Sequence, residues 1–84
     1  MTDLEVELLD HATQCARCAV DARRRNNPDE AKFEAEVAIG FINDMLAEFV
    51  ETDEVHARVL EVMSIIAEAG FSVRTKLAFR QEDV

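Results

Sequence analysis

The sequence contains no tryptophan and no tyrosine, one proline, two glycines and two cysteines. Each shortage excludes something. Two cysteines are far too few for a disulfide-stapled secreted domain. So little proline and glycine excludes collagen-like and low-complexity chains. Basic residues are also scarce, nine Lys and Arg against eighteen Asp and Glu, for a net charge of -9. A nucleic-acid binder that works through a basic footprint is disfavoured by that sign. No stretch approaches the roughly 20 consecutive apolar residues of a membrane span. The acidic start Met-Thr-Asp-Leu-Glu-Val-Glu is the opposite of a secretory signal. The expected location is therefore the cytoplasm, with both thiols reduced.

Catalytic signatures are missing too. There is no glycine-rich phosphate loop and no EF-hand spacing despite the acidity. Ser64 and Ser72 are the only serines, and neither sits in a nucleophile-elbow setting. Size, acidity and expected helicity resemble those of acyl carrier proteins. Those proteins carry an Asp-Ser-Leu motif, whereas Met63-Ser64-Ile65 and Phe71-Ser72-Val73 stand here. That resemblance is therefore excluded, and a non-enzymatic role is expected.

What is present is apolar content of 49%, enough to fold. The 84 residues allow one domain, 1–84, that buries only about 60% of its unfolded surface. Self-association or a larger partner would support it. The pattern predicts an all-α fold of three helices, an antiparallel hairpin plus a third helix, over about 3–25, 28–51 and 53–69. Two breaks define these limits. In Asn26-Asn27-Pro28-Asp29-Glu30, Asn27 can cap and Pro28 suits the first helical position, with Asp29 and Glu30 at the positive end of the helix dipole. In Glu51-Thr52-Asp53-Glu54, Thr52 or Asp53 can cap again. Gly70 can terminate the third helix.

At 100° per residue, Leu4, Leu8, Ala12, Cys15, Ala19 and Ala22 form an apolar stripe on the first helix, with Leu9, Ala16 and Val20 beside it. The second helix has an apolar arc of about 180° and is expected to lie centrally between two neighbours. The third shows Val55, Val59, Val62, Met63, Ile66 and Ala69, with Ile65 off the stripe. From Phe71 to Arg80 the sequence alternates apolar and polar, which reads as a short strand. Val73 and Leu77 also continue the third helix's stripe, so a helix extension competes. Residues 81–84 read as a tail. An unpaired strand, the wide arc and Ile65 together predict a homodimer, with Phe41, Met45, Phe49, Ile65 and Ile66 supplying core and dimer interface.

Charge is uneven: residues 26–69 carry -9, residues 1–25 carry -1 and residues 70–84 carry +1. The plain reading is a solvated surface that keeps the chain soluble. The sharper reading is an acidic partner-binding face built from Glu36, Asp44, Glu48, Glu51, Asp53 and Glu54. Such a face suits an adaptor or an inhibitor that binds a larger cytosolic protein, of the kind phages and plasmids encode, competing there with nucleic acid. Two alternatives follow from other residues. His11, Cys15 and Cys18 recur at i, i+4 and i+7, a set of soft ligands for zinc, with His56 as a fourth; against this, Cys15 reads as a small buried hydrophobe. Arg23–Arg25 and the basic Arg74–Arg80 segment would serve direct nucleic-acid binding, which the net charge opposes. No cofactor other than that zinc is expected.

Overall fold

A computed structural model describes residues 2–49 and 52–71. The expected strand or helix extension at 71–80 lies outside them beyond Phe71, as do Glu51, Arg74–Arg80 and the tail. The described residues form three helices: α1 (Asp3–Arg24), α2 (Pro28–Glu48) and α3 (Asp53–Glu68). The fold is all-α, an antiparallel hairpin with a third helix.

Each helix begins on a side-chain cap. The Thr2 hydroxyl accepts from the Glu5 N–H at 3.2 Å, and the Glu5 carboxylate accepts from the Thr2 N–H at 3.0 Å. This reciprocal pair satisfies two otherwise orphaned amides. The Asn27 carbonyl oxygen accepts from Glu30 N–H, ahead of Pro28, and the Thr52 hydroxyl accepts from Val55 N–H. Two helix ends close the same way. At the end of α1, Asn26 takes φ 62°, and the N–H groups of Asn26 and Asn27 donate to Arg23 and Ala22. At the end of α3, Gly70 takes φ 91°, and Gly70 and Phe71 donate to Ala67 and Ile66. Both are left-handed closures that capture the last carbonyls. Asn27 therefore ends one helix and starts the next, so α1 and α2 form a hairpin with a minimal turn. Helix α2 ends at Glu48, short of the expected 51, because Phe49 is already extended (φ -117°, ψ 151°).

The buried positions step by four and three along every helix. They are Glu5, Leu9, Ala12, Ala16, Ala19 and Ala22 on α1, with Thr13 beside them; Ala31, Ala35, Ala38, Ile42 and Met45 on α2; and Val55, Val59, Val62 and Ile66 on α3. This is the seam of closely aligned helices. The α1–α2 contact is lined mostly by alanines, which let the two backbones come close. Leu9, Ile42, Met45 and Ile66 supply the bulk of the core, each at most 1% exposed.

Two expectations need correction. The central helix is α1, not α2. Helix α1 packs against both others, while α2 and α3 scarcely meet. Alanine-rich faces are easily read as secondary, yet it is small side chains that allow a helix to be flanked closely on two sides. The α1 stripe is also rotated from the expected one. Leu4 is half exposed and Leu8 and Cys15 are only partly covered, while Glu5 and Thr13 are buried. Thr13 tolerates burial because its hydroxyl donates to the Leu9 carbonyl at 2.8 Å. Glu5 does so through the capping pair.

Candidate functional site

The second helix presents most of the expected acidic face. Glu36, Asp44 and Glu48 are exposed on its solvent side, and Asp53 and Glu54 are exposed at the start of α3. Asp44 and Glu48 lie one turn apart, so their carboxylates point the same way. Neither they nor Glu36 form an ion pair among the described residues. The α2 N-cap brings Asp29 and Glu30 to the positive end of the helix dipole, where carboxylates are favoured. Asp53 and Glu54 sit in the same position on α3. The backbone thus holds carboxylates at both helix starts as well as along α2.

The apolar residues expected at an interface divide. Met45 and Ile66 are covered within one chain and belong to its core. Phe41, Phe49 and Ile65 pack against that core but remain partly exposed.

The His11–Cys15–Cys18 line is on α1 as expected, and its members have separate surroundings. The His11 ring lies against Phe41 of α2, centroids 5.6 Å apart and planes tilted by 56°. Cys15 is half-buried, and burial, then the charges of Glu34 and Cys18, push its thiol above the usual range. Cys18 is exposed. His56 is half-buried on α3. Among the described residues no three His, Cys, Asp or Glu side chains gather as a metal-binding group.

The arginines at the end of α1 are interleaved with acids. Arg25 donates to Asp21 at 3.0 Å and to Glu30 at 2.9 Å, pinning the hairpin turn; these partners also hold its guanidinium pKa above the usual value. Arg24 shares a groove with Asp21 and Glu68. Arg23 lies over Gly70. A continuous basic patch is therefore not formed by these three.

The sequence reading missed the groove between α1 and α3. It has a volume of about 590 Å³ and is lined by Arg17, Val20, Arg24, Ser64, Ile65 and Glu68 among others. It continues past Glu61 towards Arg58, which donates to Asp10 at 3.0 Å and to the Thr13 hydroxyl at 3.4 Å. These contacts place α3 parallel to α1. The off-stripe Ile65 was the one sequence signal for this groove. Its walls alternate in charge, and no pair of groups in it forms a nucleophile and base. No helix among the described residues is long and apolar enough to cross a membrane.

No family model matches the chain, and neither does any curated protein or solved structure.

Proposed function

We propose that this chain is a non-enzymatic protein-interaction module, an inhibitor or adaptor that binds a larger protein through the acidic face of α2 and the start of α3. One observation carries the reading: Glu36, Asp44 and Glu48 are exposed and have no ion-pair partner among the described residues. Asp10, Asp21 and Glu30, by contrast, are paired with arginines. Like charges left unmatched on one helix face repel one another, so they disfavour the free chain slightly and favour a cationic partner. A contact of this kind forms fast and weakens with salt. It also suits competition with nucleic acid for a basic channel.

The double charge reversal Asp44→Lys with Glu48→Lys tests it. Capture of the partner from lysate by the immobilised protein should be lost in the reversed variant and retained by a Glu7→Lys control, at an exposed acid of α1 outside the proposed face. Equal capture by wild type and the α2 variant would remove this face from consideration.

A further inference from the structure

The buried seam of α2 uses Ala31, Ala35, Ala38, Ile42 and Met45. A second set with the same four-and-three spacing runs along the opposite side: Phe33, Val37, Gly40, Asp44 and Ala47. At 100° per residue these lie within an arc of about 80°, with Glu36 and Glu48 on its two flanks. Phe33 is 62% exposed, the highest value among the exposed large apolar side chains. Gly40 is exposed, and a Cβ built on it would meet nothing within 4 Å. No contact within the chain therefore requires glycine there, although glycine in mid-helix is unfavourable. Phe33 is the exposed large apolar side chain of α2, and Val37, one turn on, is half-buried.

We propose that this outer seam seats a cationic amphipathic helix of the partner, whose backbone approaches at Gly40 while Phe33 and Val37 pack on its apolar side and Glu36, Asp44 and Glu48 meet its basic rim. The proposal rests on the acidic-face reading and makes it specific: the contact is a seam of Phe33, Val37, Gly40 and Ala47 with Asp44 within it and Glu36 and Glu48 at its edges, not charge alone. A missing side chain at the crossing lets two helices come close, and the seam on either side supplies the burial. Charge decides the occupant. A second copy crossing antiparallel at Gly40 would set Glu36 against the partner's Asp44, four residues from the crossing, and Lys32 against the partner's Glu48 only at eight residues, where crossed helices diverge, so the like-charge pair is the nearer. That opposes like charges and disfavours self-pairing through this face. A basic helix meets the same carboxylates with opposite charge.

The probe is a fluorescent synthetic amphipathic peptide of about 18 residues made of Leu, Ala and Lys, with an oligolysine of equal charge as comparison. Anisotropy titrations use the full chain and its variants. The wild type should bind the amphipathic peptide and bind the oligolysine at least about tenfold more weakly. Gly40→Leu and Phe33→Ser should each weaken amphipathic binding by about tenfold or more. Gly40→Leu should at the same time raise Tm, and Gly40→Ala should raise it by about 4–8 °C, so lost binding cannot be confused with lost folding. If the Asp44→Lys/Glu48→Lys variant loses binding while Gly40→Leu and Phe33→Ser bind like wild type, the acidic face stands and the seam is overturned. Equal affinity for oligolysine, or no wild-type binding at about 100 µM, overturns the seam too. So does a dimer of the wild type, seen by sedimentation, that Gly40→Leu abolishes.

Discussion

Asn26 holds a conformation that most residues avoid. Its φ of 62° closes α1 and hands the chain directly to the Asn27 cap of α2. Asparagine is among the few residues that enter this region readily, and glycine enters it with no steric penalty. Asn26→Gly should therefore hold or raise stability by up to about 1 kcal/mol, while Asn26→Val should lower it by about 1–2 kcal/mol. Urea denaturation of the three proteins checks this. The order Gly, Asn, Val in midpoint is expected, and coincident midpoints would mean that the turn is not held as described. The segment was readable as a break from Asn27 and Pro28, because a cap and a helix-starting proline are local signals. That Asn26 would close α1 was not readable, since it depends on where α1's last carbonyls stop.

At the scale of the helices, the telling feature is the alanine face shared by α1 and α2. Ala12, Ala16, Ala19, Ala35 and Ala38 are all at most 1% exposed. Such a contact gains little from each side chain and depends on close approach, so it has no room for growth. Ala35→Leu should cost about 1–3 kcal/mol, whereas Ala57→Leu on the exposed side of α3 should stay within about 0.5 kcal/mol. Calorimetry of both variants decides it, and a stabilised Ala35→Leu would show that the helices stand further apart. The number of helices and nearly all their ends were legible in the sequence, because caps and periodicity act over a few residues. The choice of central helix was not. The wide arc of α2 suggested two neighbours, but only its middle, with Ala35, Ala38, Ile42 and Met45, is fully buried, while Ile39, Phe41 and Leu46 on its flanks are partly buried against the same core. Periodicity gives the direction of each apolar face and says nothing of which face a neighbour in the same chain will cover. The candidate site divided in the same way. Charged positions such as Asp44 and Glu48 fell on the solvent side as expected. Phe33 and Gly40 escaped notice, because a single exposed aromatic and a glycine gain meaning only once the buried seam is fixed.

The molecule as a whole carries -9, with the same figure concentrated in residues 26–69. In a chain this small those charges repel one another across the fold, and the repulsion is screened over about 8–10 Å at physiological salt. The Asp44→Lys/Glu48→Lys variant changes the net charge by four, from -9 to -5. Both positions are exposed, and neither makes an ion pair among the described residues. The substitution therefore removes repulsion without removing a stabilising contact. Its Tm at low ionic strength should equal or exceed that of the wild type, and the difference should shrink as salt is added. The wild type's own Tm should rise over the same range. On the proposed function the same carboxylates that repel one another in the free chain would serve recognition, and this opposition is what a binding face implies. A variant that melts lower than the wild type at low salt would show instead that Asp44 and Glu48 support the fold. The outer face of α2 would then be a structural surface and not a binding face.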